Sequence, residues 1–320
     1  MKRSIVIFLV IFCFVHSLAC VKTNVAIPME QTEIDIETEE NNPPSEIVVE
    51  SEEELKKLLD QKEQLNAIKV LTIRGVERIP SDAFRDCQEL EKLELGDDVL
   101  YVDNYAFKGC IKLQEIIWSN NLKEIGYNAF RSVGIQELSF PDTCELTIDD
   151  YAFADCEQLE RVSLGNGVVR LKTNFTNCAA LKEISFSPLM KTIDAEECSF
   201  CPSLFELVIP ANVQVFDSFV GINSGIRRFI FEGTPDAVCA LVCNEYPELQ
   251  YIVFLGQPPL QDEEIMEDAY PENYGLVNNG SVCIYYLESN REYWAPHGEE
   301  EWNGFHIIPI NSIEDLPPIW

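Results

Sequence analysis

Cysteine and carboxylate are the side chains with which this sequence could do chemistry: it holds 12 cysteines and 55 acids against three histidines in 320 residues. Cys198-x-x-Cys201 and Cys239-x-x-x-Cys243 have the spacing of zinc ligands, which must converge on one ion at about 2.0–2.3 Å. Asp97 with Asp98, and Asp149 with Asp150, are adjacent carboxylates of the type that glycoside hydrolysis uses as acid and base. His297 and His306 lie in no nucleophile or metal motif. The acidic run from Asp262 to Asp268 lacks the alternating ligands and glycine of a calcium loop, and no glycine-rich phosphate loop follows a strand. Whether any of these groups meet depends on the elements that carry them.

Those elements repeat. Phe84, Phe107, Phe130, Phe153, Phe175, Cys198, Phe219 and Cys243 are spaced by 23, 23, 23, 22, 23, 21 and 24 residues. Three residues later the chain places Cys87, Cys110, Val133, Cys156, Cys178, Cys201 and Ile222, and then a Leu or Ile that opens an alternating pair such as Leu93 and Leu95 or Val162 and Leu164. A period of 20–29 residues with an L-x-x-L-x-L core marks a leucine-rich repeat. Alternation predicts one short strand per coil, and apolar spacing of three before it predicts a tight turn with 3₁₀ character. A single coil cannot bury its apolar edge, so the expected fold is an α/β solenoid with one short parallel strand per coil of about 23 residues. Within such a stack Cys198/Cys201 and Cys239/Cys243 fall about two coils apart, too far for one ion. A column that takes Cys, Val or Ile selects a small buried hydrophobe, so the cysteines are read as free thiols and the paired aspartates as solvated turns. No catalytic, cofactor-binding or metal-binding residue is assigned, and no cofactor is expected.

The form AFxxCxxLxxLxL, as in AFRDCQELEKLEL at Ala83 to Leu95, resembles the BspA-like leucine-rich-repeat family of bacterial surface proteins, over about Leu71 to Gly256. The resemblance implies a non-enzymatic surface protein that adheres to matrix proteins, other bacteria or host cells. Residues 1–19 read as a signal peptide: Lys2 and Arg3 precede an apolar run from Ile5 to Val15 that is too short to span a bilayer. SLAC at Ser17 to Cys20 resembles the bacterial lipoprotein signal, which makes Cys20 the expected lipidation site. Residues 20–45 are then a flexible acidic tether, 46–258 the solenoid with its N-terminal cap, and 259–320 a connecting loop and C-terminal capping module. Eleven acids and no base lie between Glu30 and Glu54, and thirteen acids with only Arg291 follow Gly256, so most of the net charge of -32 sits outside the repeats. Such acidity disfavours nucleic acid as a partner.

A strand-helix cap is expected at the front, with Ser51 and Glu54 as a capping box, and strand, helix and strand at the back, with Ser289 and Glu292 as a second box. Tyr293, Trp302, Phe305 and Ile307 resemble the residues that close many family members. Between the inward pairs, Glu94, Ile117, Ser139, Ser163, Ser185, Val208, Ile230 and Val253 point outward and form the candidate ligand-facing row. The last three form an apolar stripe, which is either a binding patch or, as the reading favoured over it, β-branched strand residues or a surface that the terminal module folds over. The resulting expectation is a lipid-anchored protein of the cell envelope, surface-exposed on the outer membrane, that binds a protein or a host or bacterial surface macromolecule. The alternative is a structural or accessory lipoprotein of an envelope complex, and a glycan-active enzyme ranks last.

Overall fold

A computed structural model describes residues 44–142, 145–194, 196–216, 219–235, 237–238, 246–259 and 282–319. The expected alternation produces one leading strand in each coil: Val70–Ile73, Lys92–Leu95, Glu115–Ile117, Glu137–Ser139, Arg161–Ser163, Glu183–Ser185, Glu206–Ile209, Arg228–Phe231 and Tyr251–Phe254. Within three successive groups the leading strands pair in parallel and in register, so Leu71, Leu93 and Ile116 stand in one column and Leu207, Phe229 and Ile252 in another. Fully burying each such side chain contributes about 1.5–3 kcal/mol, which only stacking on neighbouring coils can deliver. The fold is a parallel-strand solenoid.

The first eight of these coils also carry a second, trailing strand, where one per coil was expected. Arg78–Ile79, Tyr101–Val102, Glu124–Ile125, Leu146–Ile148 and Val168–Leu171 form one parallel row, and Thr192–Ile193, Val215–Phe216 and Ala237–Val238 a second. Two-residue strands such as Arg78–Ile79 present a single inward side chain, so they leave no alternation to read.

The turn between trailing and leading strands explains the Ala-Phe-x-x-Cys signature. Phe84, Phe107, Phe130, Phe153 and Phe175 are buried and stack ring on ring, with centroids 5.3, 5.1, 5.5 and 6.0 Å apart. The amides of Phe84, Phe107 and Phe130 donate to Ala106, Ala129 and Ala152 of the next coil at 2.8–2.9 Å, an approach that suits a methyl side chain. The residues two before and two after each of these three Phe have positive φ, as at Asp82 and Asp86 or Tyr105 and Gly109, which explains the Asp, Asn and Gly found there. Cys110, Cys156, Cys178 and Cys201 donate S–H to the carbonyls of Phe84, Phe130, Phe153 and Phe175 in the preceding coil. The column continues with hydroxyls, because Ser224 donates to the Cys198 carbonyl at 2.6 Å and Tyr246 to that of Val220 at 2.7 Å. Ser224, not Ile222, therefore follows Cys201. Phe219 does not belong to the buried phenylalanine column: it is 43% exposed, and Val220 is buried in its place.

The leading row is interrupted once between Glu115–Ile117 and Glu137–Ser139, which do not pair, and both rows break together at one seam. The leading strand Glu183–Ser185 pairs only with the coil before it, and the trailing strand Thr192–Ile193 only with the coil after it. Here the alanine column holds polar residues. Asn174 Oδ1 accepts from the Phe153 amide at 3.1 Å, and Glu197 Oε2 accepts from the Asn174 amide at 3.0 Å. Both side chains are fully buried, and among the described residues Glu197 Oε1 has no hydrogen-bond partner.

At the front, Glu46–Val49 pairs with Val70–Ile73, and helix Glu52–Leu59 buries Leu55 and Leu58. Ser51 Oγ accepts from the Glu54 amide at 3.3 Å, and the Glu54 carboxylate accepts from Glu50, one residue earlier than a standard box. At the back, Cys283–Leu287 and Phe305–Ile310 extend the leading row in parallel. The expected box at Ser289 and Glu292 does not form: Glu288–Asn290 is a 3₁₀ turn, and helix Arg291–Trp294 begins at Asn290 without a side-chain cap. A capping box occurs instead at Ser312 and Asp315. Phe305 and Ile307 are buried as expected, whereas Tyr293 is 47% exposed and Trp294 anchors the core against Phe254, Tyr286 and Trp302. Most of the connecting loop after Gly256 lies outside the described residues.

Candidate binding face

The outward row is set by register. Val48, Thr72, Glu94 and Ile117 are Cα partners across four strands, and Ser139, Ser163 and Ser185 across the next three. Ile117 is 42% exposed and the three serines are exposed, while Glu94 is half-buried and ion-paired with Arg74 at 2.8 Å. Two residues earlier on each strand runs a parallel row of charge, which the sequence reading passed over. Lys92 pairs with Glu115 at 2.5 Å, Arg161 with Glu137, and Arg228 with Glu206. Lys112 with Glu89 and Lys182 with Glu160, each at 2.8 Å, add further pairs ahead of the strands. The lysine ammonium groups hold the Glu89 and Glu160 carboxyls below their ordinary range, and Glu137 raises the Arg161 guanidinium above its own. Exposed pairs of this kind contribute little stability, because water screens the charges and ordering two long side chains offsets their attraction. Their effect is to leave a hydrated strip of hydroxyls edged by compensated charge.

The apolar end of the row differs from expectation. Val208 is half-buried, but Ile230 is only 4% exposed and Val253 is fully buried. They form a second apolar cluster with Tyr251 and Ile310, against which Leu255, Tyr285, Leu287, Leu316 and Ile319 pack. The chain after the last strand lies over the stripe, so these positions are interior. Burial along the strands records the change, from alternating in Glu206–Ile209 to continuous in Tyr251–Phe254. The eight expected residues thus divide into an open set, Glu94 to Ser185, and a covered set, Val208 to Val253.

The other candidate chemistry is taken up by the fold. Asp97 accepts from the Asn120 amide at 2.9 Å, Asp98 from the Gly75 amide at 3.1 Å, and Asp149 pairs with Lys172, so these carboxylates fasten adjacent coils. Cys87, Cys110, Cys156, Cys178, Cys198, Cys201 and Cys283 are free thiols. Burial pushes Cys87 up to about 11 and Cys201 to about 12, and raises Cys110 and Cys198 as well, so none of these is a thiolate at neutral pH. Among the described residues no group of three or more His, Cys, Asp or Glu gathers as a metal site, and no helix is long and apolar enough to cross a membrane. Cys20, Cys239 and Cys243 lie outside the described residues.

Residues 77–174 and 147–227 match the BspA type leucine rich repeat region, in six copies. No curated protein matches the chain. Similar solved structures include a Treponema pallidum leucine rich repeat protein, 26% identical over 46% of this chain and 72% of that one, with a TM-score of 0.42. A Bacteroides ovatus leucine-rich repeat protein is 15% identical over 76% of this chain and 75% of that one, with a TM-score of 0.42. A leucine rich cell surface protein of Faecalibacterium prausnitzii is 15% identical over 81% and 87%, with a TM-score of 0.23. The six matched copies fall on the coils whose Phe, Cys and Leu columns build the solenoid, and residues 77–227 form a leucine-rich-repeat region of the BspA type.

Proposed function

We propose that this protein is a non-enzymatic binding protein of the bacterial cell envelope that engages a surface macromolecule through the open part of its leading-strand face. The observation that carries the reading is the exposed outward row of Ile117, Ser139, Ser163 and Ser185, with the ion-paired Glu94 at its end. Extended macromolecules fit such a surface, because it offers hydroxyl donors and acceptors at one-coil intervals and paired charges on its edge. Anchoring by lipid at Cys20, with residues 20–45 as tether, rests on the SLAC motif and would hold the solenoid, residues 46–258, and its closing module, 259–320, away from the outer membrane.

The test is made on the open set. Ile117→Lys with Ser139→Arg, Ser163→Arg and Ser185→Arg adds bulk and charge at solvated positions, where surface substitutions typically shift stability by no more than about 0.5 kcal/mol each. Adhesion to host or bacterial surfaces should fall at least about tenfold, a loss of about 1.4 kcal/mol of binding. Unchanged adhesion by a folded quadruple variant removes this face from consideration. Lysine at Ile230 or Val253 is no test, since it would bury an unpaired charge.

A further inference from the structure

The segment that covers the apolar end of the face has a conformation of its own. Leu316 sits at φ −68° and ψ 143°, the polyproline II region, and Pro317 and Pro318 follow with φ fixed by their rings. A polyproline II helix has three residues per turn, so residues i and i+3 share a side. Leu316 and Ile319 are three apart and both pack on the second apolar cluster, while Pro318 between them is exposed. No strand is formed here: the segment is held by apolar contact and by the Tyr251 hydroxyl, which donates to the Pro317 carbonyl.

The surface beneath is built for that contact. Tyr251 and Tyr285 meet edge to face at 5.0 Å and 68°. Arg228 Nη1 donates to Tyr251 Oη at 3.0 Å, orienting the hydroxyl toward the proline carbonyl, and Glu206 holds the same guanidinium. Polyproline II backbone makes no hydrogen bonds within itself, so its carbonyls are free to accept from such a donor. An aromatic-lined surface with one aimed hydroxyl is the arrangement by which proline-rich segments are recognised.

We propose that the outward face of Val208, Ile230, Tyr251, Val253 and Tyr285 is a receptor groove for an extended apolar-Pro-Pro-apolar segment of a partner protein, occupied in this chain by its own residues 316–319. Tethering gives the internal segment a high effective concentration, so it acts as a competitor that a partner must displace. The site is separate from the open face upstream, and loss of either leaves the other standing.

The probe is the synthetic peptide Asn311–Trp320, with a second peptide in which a different apolar pair flanks Pro-Pro. A chain ending at Ile310 should bind both saturably, and the full chain should bind them at least about tenfold more weakly because its own segment competes. Tyr251→Phe in the shortened chain should weaken binding about five- to tenfold, the share of one buried hydrogen bond. Replacing Pro317 and Pro318 of the peptide by Ala should weaken it further. A folded shortened chain that binds neither peptide overturns the proposal, and so does equal binding of the Ala-Ala peptide. Binding of the native peptide alone, or a dimer of the full chain that is lost on shortening, assigns the groove to this chain's own segment and overturns the partner. Should the shortened chain fail to fold, a full chain cut at a protease site inserted between Asn311 and Ser312 keeps the test open. Exchange of its severed segment for labelled peptide supports the proposal, and absence of exchange overturns it.

Discussion

Glu197 stands in a column that is alanine in four earlier coils, at Ala83, Ala106, Ala129 and Ala152. Burial pushes its carboxyl well above the ordinary range, against the Asn174 amide that favours the charged form, and the carboxylates of Asp194 and Asp150 push the same way as burial. In the unfolded chain the group titrates near about 4.3. The folded chain therefore keeps a proton that the unfolded chain releases, and stability falls as pH rises from that value through the folded pKa. Glu197→Gln cannot ionise and still offers the Asn174 amide an acceptor. Its stability relative to the parent should rise steadily between pH 5 and pH 8 in urea unfolding. A difference that stays constant across that range would mean that Glu197 is not held in its neutral form.

At the scale of the element, the phenylalanine turn stiffens the stack. Phe130 lies between two ring neighbours, with Trp118 edge-on at 5.2 Å, whereas Phe84 ends the column and stacks on Phe107 alone. Removing a buried phenylalanine costs about 3–5 kcal/mol, and each aromatic pair adds about 0.5–1.5 kcal/mol beyond area. Phe130→Ala should thus destabilise by roughly 1 kcal/mol more than Phe84→Ala in denaturant unfolding, and equal losses would reduce the stack to buried area. These turns and the leading strands were legible because their residues recur in register. Trailing strands were not, since one inward side chain gives no period. The outward row followed from alternation alone, and cover of its apolar end by the terminal module was one of the readings, but the segment that does it was not legible: Leu316 to Ile319 lacks strand alternation, and its contact with Tyr251 spans 66 residues. Phe219 was misplaced because an aromatic at nearly the right spacing outweighed its aliphatic neighbour Val220, which fills the buried position.

Taken whole, residues 44–319 are a stack in which each coil leans on its neighbours, so cooperativity is only as strong as the weakest junction. That junction is the seam at Glu183–Ser185 and Thr192–Ile193, where each strand row is interrupted and the Glu197 carboxylate, accepting from the Asn174 amide, joins the two turn bonds Cys198 N–H to Asn174 O and Asn177 N–H to Ser199 O. Native-state hydrogen exchange should find the lowest protection of the repeats between about residues 183 and 209, with blocks of higher protection on either side. Glu197→Ala, which removes the side-chain bond across the seam, should lower protection of the following coils more than that of the preceding ones. Uniform protection across the seam would show that the polar column couples the coils as firmly as paired strands do.

The serines at 139, 163 and 185 also bear on how a ligand finds its place. Three identical hydroxyls at one-coil steps, about 4.8 Å apart by strand spacing, give a surface with translational symmetry. A ligand with a matching repeat could shift by one coil and meet the same groups, gaining statistical weight but losing position. Ile117 at one end and the covered stripe at the other break that symmetry. They act as end stops, and the number of coils between them sets a length, which a partner must match to bind in a single register.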